Sequence, residues 1–426
     1  MLIKQLKSKW IIKSSFIIFP IWCLSACKKS NDESISPNIS PTTGTRTEFT
    51  LDSIFLYAKE IYLWQDALPD YATFSPRTRY AGIFSDLAAF QKELYDITQY
   101  KLNANGIPYE KSLLGEYPRY SSIGLSNTSS AVVASITATK QSQDQLQAAS
   151  IDLGKVSYLD IDAFVDLDDI KPRLDNMFSG YAVNNIETLI IDLRNNRGGH
   201  VETVEYLANL IAPSTINGKI MFSELCNPIL RSGNAKILKN QPYLEEGKPV
   251  KYKDRFATLA DIDFSEEENT TKFKKEGKLE TIKKIYFIVN NQTASASELL
   301  ISCFKPHIPI RLVGQRTYGK PVVFFPINID KFKVNMISFL LRNADGWSAY
   351  FDGMKPDISV SPDSPTDRTE TFLTAILNDF TMKLAQKTTK PPLKAIVKAG
   401  LDSANDGQNQ NGQIIPLIKK HYKLKK

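Results

Sequence analysis

The stretch IYFIVNNQTASASELL (residues 285–300) places a strand pattern directly before a helix pattern. IYFIVN is a nearly continuous apolar run, which predicts a strand buried on both faces of a sheet. ASELLISCF, which begins at Ala296, predicts a helix. Ser295 and Ser297 lie at this junction. A hydroxyl group there either caps the helix or acts as a nucleophile, and a nucleophilic serine needs a base.

Strand and helix patterns alternate on both sides of this stretch. IETLIIDLR (186–194) predicts a second buried strand, and HVETVEYLANLI (200–211) predicts the helix that follows it. IPIRLVG (308–314) and KVSYLDIDAF (155–164) predict two further strands. This alternation predicts an α/β core over residues 151–385.

The region before the core has helical periodicity. LDSIFLYAKEIYLWQDALP (51–69) and DLAAFQKELYDITQY (86–100) carry apolar residues at three-to-four spacing. They predict a small helical domain and a short connector over residues 49–150. Within the connector, KQSQDQLQAASIDLG (140–154) is polar and predicts a loop.

A polar insertion interrupts the core at about residues 227–284. Its run SEEENTTKFKKEGKLE (265–280) mixes both charges, which is typical of a solvated face or a loop. A lid over a cleft is an alternative that the sequence does not directly support.

The formal net charge of +7 is concentrated at the two ends of the chain. Residues 1–26 hold four lysines and no acid, and the basic tail, residues 386–426, holds nine lysines and two aspartates. The body between them has 40 basic and 44 acidic residues, which argues against a nucleic-acid-binding protein. The tail is typical of a disordered segment, although it also suits contact with anionic lipid or cell-wall polymer.

The first residues have the pattern of an export signal. Four lysines precede or enter the apolar stretch WIIKSSFIIFPIWCLSA (10–26), and LSAC (24–27) resembles the bacterial lipobox. This pattern predicts a lipoprotein signal peptide over residues 1–26, a lipid anchor at Cys27 and a flexible tether over 27–48. An uncleaved N-terminal anchor is the alternative.

Two cysteines, Cys226 and Cys303, belong to the predicted core. They either pair in an oxidising compartment or are small buried hydrophobic residues, and the sequence leaves both alternatives open. No Cys-x-x-Cys or paired-histidine spacing predicts a metal site.

Three loops carry the residues that are candidates for chemistry. DLRNNRGGH (192–200) places Gly198 and Gly199 between a strand and a helix, where bare amide groups can hold an oxyanion. TASASE presents Ser295, although Glu298 three residues later also fits a capping box. GQRTYGK (314–320) ends in Lys320. Taken singly, each motif fits a purely structural role.

Together, these three stretches resemble the core motifs of the S41 peptidases, also called C-terminal processing or tail-specific proteases. Lys320 lies 25 residues after Ser295, as in that family. KVSYLDIDAF and GMKPDISV (353–360) resemble the segments that open and close the family's catalytic domain. YLWQDALP (62–69) resembles the helical region of S41 lipoproteins from the Bacteroidetes. The resemblance implies a crotonase- or ClpP-like spiral core.

The resemblance also implies a role for each candidate residue. Ser295 would be the nucleophile and Lys320 its base, once burial has lowered the lysine pKa. The oxyanion would be bound by the amide of Ala296 and by one amide of the pair Gly198–Gly199. Arg194 would hold the glycine loop, and Thr317 would orient the lysine. Neither a metal nor a cofactor is implied, and the substrate would be a protein or peptide in the envelope of a diderm bacterium, met in the periplasm or at the outer membrane.

The sequence departs from the family at two points. Many members have a glutamine four residues after the lysine, where this chain has Phe324. The connector is too short for the usual PDZ domain, which is therefore expected to be absent or reduced. These departures favour an alternative, a catalytically weakened S41 lipoprotein that binds peptide or envelope polymer.

Overall fold

The computed structural model describes residues 40–113, 115–126, 146–151, 155–245, 247–361, 369–385 and 421–425. The signal peptide, Cys27, most of the tether, much of the connector and most of the tail lie outside these residues, and the expectations for them stay predictions. Within the described ranges, no helix combines the length and the apolar character needed to cross a lipid bilayer.

The helices agree with the predicted alternation and add three in the core that the sequence patterns did not reveal. The α-helices are α1 (Arg46–Ile61), α2 (Tyr71–Phe74), α3 (Pro76–Tyr80), α4 (Asp86–Thr98), α5 (Leu167–Val183), α6 (Val201–Ile211), α7 (Pro228–Arg231), α8 (Ala296–Phe304) and α9 (Glu370–Ala385). The helices α1 to α4 form the predicted helical N-terminal region, whereas α5, α7 and α9 were not predicted.

A six-stranded sheet forms the centre of the core. Its strands are β2 (Leu146–Ile151), β3 (Val156–Ile161), β4 (Thr188–Asp192), β11 (Lys284–Val289), β12 (Ile310–Gly314) and β17 (Ile358–Ser359). The order is β17-β12-β11-β4-β3-β2, and all neighbours are parallel except β2, which pairs antiparallel with β3 at the edge. The prediction of an α/β fold is therefore confirmed. The prediction of a loop over 140–154 is wrong for β2, because an edge strand does not need a continuous apolar sequence.

Strand β11 shows why the apolar runs are continuous. Ile285, Phe287 and Val289 pack into the large core, whereas Tyr286 and Ile288 pack in a second cluster with residues of α9. Both faces of the sheet are covered, so both sets of alternating side chains must be apolar.

The remaining strands form antiparallel sheets beside the central one. They are β1 (Ser122–Leu125), β5 (Ile220–Cys226), β6 (Leu244–Glu245), β7 (Lys248–Pro249), β8 (Lys251–Tyr252), β9 (Arg255–Phe256), β10 (Thr270–Lys272), β13 (Val322–Val323), β14 (Pro326–Ile329), β15 (Phe332–Asn335) and β16 (Phe339–Asn343). The sheet orders are β10-β5-β16-β13, β1-β15-β14, β6-β7 and β8-β9.

The polar insertion is a folded part of the molecule, and its charged run at residues 265–280 is mostly exposed or half-buried, as expected for a solvated face. Its strand β10 pairs with β5, and Tyr243 and Phe264 are buried. The side chain of Asn227 donates to the carbonyl oxygens of Glu60 and Tyr62 at the end of α1. The strand pairing attaches the insertion to the core, and the hydrogen bonds of Asn227 attach it to the helical region.

The end of the basic tail also packs on the insertion. Leu424 forms a bridge with Ile262, and the amide of Lys425 donates to the carbonyl oxygen of Asp261. The expectation of disorder is therefore wrong for residues 421–425, because backbone pairing fixes them.

Cys226 and Cys303 are both buried free thiols. The disulfide alternative is therefore wrong, and the two cysteines are small buried side chains. Burial raises the pKa of both thiols, that of Cys226 to about 12.

Candidate active site

Ser295 occupies a strained turn between β11 and α8. Its φ angle is 58°, a value that residues with a β-carbon rarely adopt. The side chain is buried, and its hydroxyl oxygen has no hydrogen-bond partner among the described residues. Ser295 is therefore the N-cap residue of α8 by position, but its hydroxyl does not cap the helix. A strained backbone with an unengaged hydroxyl is typical of a nucleophile.

Glu298 connects the serine to the loop that carries Lys320. One carboxylate oxygen accepts the amide protons of Ser295, at 3.0 Å, and of Lys320, at 2.8 Å. The other oxygen accepts from the Thr317 hydroxyl at 2.5 Å and from the Gly319 amide at 2.7 Å. The backbones of the two predicted dyad residues therefore meet at a single oxygen atom. Burial raises the pKa of Glu298, and the four hydrogen bonds oppose that rise.

Lys320 is buried, with 3% of its surface exposed, and it forms no salt bridge in the part of the chain that the structure describes. Burial lowers its pKa to about 8, although the nearby carboxylates of Glu110 and Glu298 act in the opposite direction. A substantial fraction of the amine is therefore neutral near pH 8, which is the form that a general base needs.

Glu110 is a residue of this site that the sequence did not reveal. It is fully buried, and its carboxylate accepts hydrogen bonds from the Tyr62 hydroxyl and from the amides of Tyr120 and Ser121. The Tyr120 hydroxyl in turn donates to the carbonyl oxygen of Gly319 at 2.5 Å. The helical region and its connector thus place a second carboxylate near Lys320.

The predicted oxyanion donors differ from one another in their hydrogen bonding. The amide of Gly198 donates to the side-chain oxygen of Asn196 at 2.9 Å and is already engaged. The amides of Gly199 and Ala296 make no hydrogen bond to any described residue. A β-carbon at position 199 would lie 2.0 Å from the carbonyl oxygen of Phe164, so only glycine fits there. Gly199 and Ala296 are therefore the better candidates for binding an oxyanion.

Asn196 joins the glycine loop (residues 193–199) to the start of α8. Its carbonyl oxygen accepts the Ala294 amide at 3.0 Å and the Ser297 hydroxyl at 3.1 Å, on either side of Ser295. Its buried side chain donates to the carbonyl oxygen of Ile161 and accepts from Gly198. Asn196 was not predicted as a site residue, because these partners are distant in the sequence.

Arg194 and Thr317 each contact a carboxylate in the structure. The Arg194 guanidinium pairs with Asp192 at 2.6 Å and lies over the ring of Phe372 at 4.5 Å, so these contacts run to β4 and α9. Thr317 donates to Glu298 and accepts from the Met354 amide. Arg194 as the holder of the glycine loop stays a prediction. Thr317 lies in the lysine loop (residues 315–320), and Glu298 links its hydroxyl to the amide of Lys320.

Phe324 stands where the family resemblance places a glutamine. The Lys320 ammonium nitrogen lies 5.6 Å from the centre of the Phe324 ring. An aromatic ring stabilises a cation weakly and accepts no strong hydrogen bond. Phe324 therefore does not replace the side-chain amide of a glutamine.

The segment that carries the serine, the lysine and the glycine loop matches a family model over residues 155–360, that of peptidase family S41. The chain therefore carries an S41 peptidase domain. The family consists of serine-type peptidases, which act on proteins or peptides. No curated protein matches the sequence.

Several solved structures are similar in fold. A putative S41 protease from Bacteroides fragilis NCTC 9343 is 20% identical, with a TM-score of 0.41, and the match covers 56% of this chain and 57% of that one. A putative peptidase from Parabacteroides merdae ATCC 43184 is 13% identical, with a TM-score of 0.46 and coverage of 82% and 100%. A photosystem II D1 C-terminal processing protease is 12% identical, with a TM-score of 0.46 and coverage of 78% and 97%.

Proposed function

We propose that this chain is a serine endopeptidase of the C-terminal processing type, with Ser295 as nucleophile and Lys320 as general base. The observation that supports it most strongly is the shared carboxylate of Glu298, which accepts the amide protons of both residues. It joins a strained serine with a free hydroxyl to a buried lysine whose pKa is about 8.

The first half of the reaction forms an acyl-enzyme. Neutral Lys320 takes the proton of the Ser295 hydroxyl while the oxygen attacks the carbonyl carbon of the substrate. The negative charge that develops on the carbonyl oxygen is stabilised by the free amides of Gly199 and Ala296. The C–N bond then breaks, and the ammonium group of Lys320 gives its proton to the leaving amine.

The second half releases the acid product. A water molecule loses its proton to Lys320, which is neutral again, and attacks the acyl carbon. The bond to the Ser295 oxygen breaks, and that oxygen recovers its proton from Lys320. The cycle uses no group beyond the side chains and backbone amides already described.

The predicted signal sequence assigns the substrates to the cell envelope. If Cys27 carries lipid, the peptidase acts from a membrane anchor on exported proteins or peptides. This part of the proposal depends on the sequence pattern of residues 1–27 alone.

A second function, peptide binding without efficient turnover, is favoured by one observation. Phe324 offers Lys320 an aromatic ring rather than a hydrogen-bonding amide. Under this alternative the cleft holds a peptide or an envelope polymer, and replacement of Ser295 or Lys320 removes no turnover.

Incubation with casein, with the fragments identified by mass spectrometry, distinguishes the two functions. The parent chain should cleave casein, and Ser295→Ala and Lys320→Ala should reduce the rate at least about 100-fold. Ser302→Ala, a buried serine of the same helix, and Lys305→Ala, an exposed lysine at its end, are the matched controls and should keep parental activity. No cleavage of casein or of envelope proteins by a folded parent would favour the binding function.

A further inference from the structure

The described end of the basic tail lies in a groove of the polar insertion. Residues 386–420 separate this docked segment (residues 421–425) from α9. The surface that the docked segment contacts is called the tail groove, and it is formed by residues 260–263, Tyr243, Tyr252 and Glu268. One part of the chain is thus bound, as a separate extended peptide, by another part of the same chain.

The main chain of the docked segment pairs with that of the groove. Leu424 forms an antiparallel bridge with Ile262. The residues on either side of this pair form two amide-to-carbonyl hydrogen bonds, each of 2.8 Å. Proteins that bind peptides by strand addition recognise the main chain of an extended peptide in this way. The groove is therefore built like a peptide-binding site.

Two tyrosine hydroxyls of the groove extend this pairing. The Tyr243 hydroxyl accepts the amide proton of Tyr422 at 2.9 Å. The Tyr252 hydroxyl donates to the carbonyl oxygen of Lys425, also at 2.9 Å. These side chains hold the docked segment near its two ends, and they can be changed without any change in the tail.

The lysines of the docked segment also have partners in the groove. The ammonium group of Lys423 pairs with the carboxylate of Glu268 at 2.8 Å. The ammonium group of Lys425 donates to the carbonyl oxygen of Ala260 at 2.7 Å. The groove therefore matches the positive charge of the tail as well as its main chain.

The tail groove lies close to the candidate active site. Phe264 directly follows the groove residues, and its ring centre is 5.6 Å from that of Phe325, five residues after Lys320. Burial raises the pKa of the Tyr422 hydroxyl well above its ordinary value, and carboxylates that include that of Glu202 add to the rise. Glu202 lies in the first turn of α6, which follows the glycine loop.

A tail of this length can reach the active site of its own chain. Thirty-five residues (386–420) span up to about 120 Å when extended, against a radius of gyration of about 20 Å for a folded chain of this size. Once released, the docked segment would meet Ser295 at an effective concentration on the order of 1 mM. Most enzymes have a KM of about 1 μM to 1 mM, so a peptidase would cleave such a tail in preference to dilute substrates.

We propose that the tail groove is a docking site for the chain's own tail, and that docking keeps the tail out of the active site. The docking is argued from the contacts of residues 421–425, whereas the protection from self-cleavage rests on the proposed peptidase function. Cleavage of a released tail would transfer an acyl group to the Ser295 oxygen. Hydrolysis would then consume one water molecule and leave a shortened chain and a free fragment.

Amide hydrogen exchange tests the docking without turnover, on the full-length Ser295→Ala chain. The amides of Tyr422 and Lys425 should exchange more slowly than in a synthetic peptide of residues 421–426, because both are hydrogen-bonded in the groove. Exchange at the rate of the free peptide would overturn the proposal. Protection that is lost on dilution would assign the groove to the tail of a second copy, and it would overturn the proposal equally.

Groove variants assign the protection while the tail keeps its sequence. Tyr243→Phe and Tyr252→Phe, combined in one chain, remove two hydrogen bonds to the docked segment and should speed the exchange of its amides at least about fivefold. Tyr206→Phe is the matched control, because its hydroxyl donates to Asp175 of α5, and it should leave the exchange unchanged. Equal exchange rates in the double variant and in this control would overturn the assignment.

Self-cleavage is then followed by intact-mass spectrometry on chains that keep Ser295. The double groove variant should lose tail fragments at least about fivefold faster than the parent, at a rate that does not depend on chain concentration. The same variant with Ser295→Ala should stay intact, and Tyr206→Phe should behave as the parent does. A released tail that stays intact while casein is cleaved would overturn the protective role.

The two measurements separate this proposal from the peptidase function. If casein is cleaved but the tail amides exchange as in the free peptide, the peptidase stands and the docking fails. If the groove variants speed the exchange but no chain cleaves casein, the docking stands and the peptidase fails.

Discussion

Two regions at the central sheet differ in whether a lysine forms a salt bridge. Under α9, Lys284 and Arg311 both contact the carboxylate of Asp379 at 3.1 Å, and the Tyr286 hydroxyl donates to it at 2.7 Å. In the loop that follows β12, Lys320 is more deeply buried and has no salt bridge among the described residues. The paired lysine stabilises the fold, whereas the unpaired lysine is held in an environment that favours its neutral form.

The difference shows how the chain buries a lysine without a salt bridge and still keeps the fold around it. Asp379 neutralises its partners directly, and these partners hold its pKa well below the ordinary value. Glu298 instead binds backbone amides and the Thr317 hydroxyl, so its oxygens hold the loops in place rather than the ammonium group. Lys320 is thereby positioned by its backbone, and its amine stays available for chemistry.

The largest effect is expected for Glu298→Ala. This substitution leaves the buried amides of Ser295, Gly319 and Lys320 without their acceptor, at about 1–3 kcal/mol for each group. We expect a loss of at least about 3 kcal/mol in the free energy of unfolding, measured with urea, together with loss of casein cleavage. Glu93→Ala removes a buried carboxylate of the helical region that has no hydrogen-bond partner among the described residues, and it should lower the free energy of unfolding by less. Equal losses for the two variants would show that Glu298 does not organise the loops.

The next effect concerns the pH dependence of stability at Lys320. Its folded pKa of about 8 lies below the ordinary value of 10.5, so the unfolded chain binds more protons between these pH values. The free energy of unfolding of the parent should therefore rise from pH 8 to pH 10.5 relative to Lys320→Met, by about 3 kcal/mol. Lys284→Met is the matched control, which loses a salt bridge worth about 1 kcal/mol at pH 7 and should not show this rise. A flat difference for Lys320→Met would mean that the lysine pKa is not lowered.

The smallest effect is expected for Glu110→Gln. The carboxylate of Glu110 raises the pKa of Lys320 against the effect of burial, so its neutralisation should lower that pKa further. The rate of casein cleavage below pH 8 should then increase relative to the parent, because more of the lysine is neutral. Glu93 is as deeply buried as Glu110 but does not influence Lys320. Glu93→Gln should therefore leave the pH profile of casein cleavage unchanged. A shift of the pH profile of casein cleavage toward higher pH in Glu110→Gln would show that Glu110 does not raise the pKa of Lys320.

Much of the fold was predictable because its signals are local. The strands β3, β4, β11 and β12 are nearly continuous apolar runs, and α6 and α8 follow them with helical periodicity. Helix α5 was not predicted, and Pro172 interrupts its helical pattern. The sequence showed the insertion only as a polar stretch with a charged run typical of a solvated face or a loop. Its order comes from pairing with β5 and from contacts with α1 and residues 421–425.

The candidate site was predictable where it depends on motif and spacing. Ser295, Lys320 and Gly199 each follow a recognisable stretch, and their loops meet in the structure. Glu110 and Asn196 escaped prediction because their partners are remote: Glu110 acts across the connector, and Asn196 joins two loops about 100 residues apart. Glu298 was visible only as part of a capping box, which indicates its contact with Ser295 but not its bonds to the lysine loop.

The most direct test of a serine activated by a neutral lysine is the rate at which a fluorophosphonate probe labels the protein as a function of pH. The serine oxygen displaces fluoride from phosphorus, and mass spectrometry identifies the labelled residue. We expect the label on Ser295, with a rate that rises as the pH passes about 8, and a much slower rate without that rise in Lys320→Ala. A label on Ser297, or a Lys320→Ala profile identical to that of the parent, would contradict the assignment of the dyad.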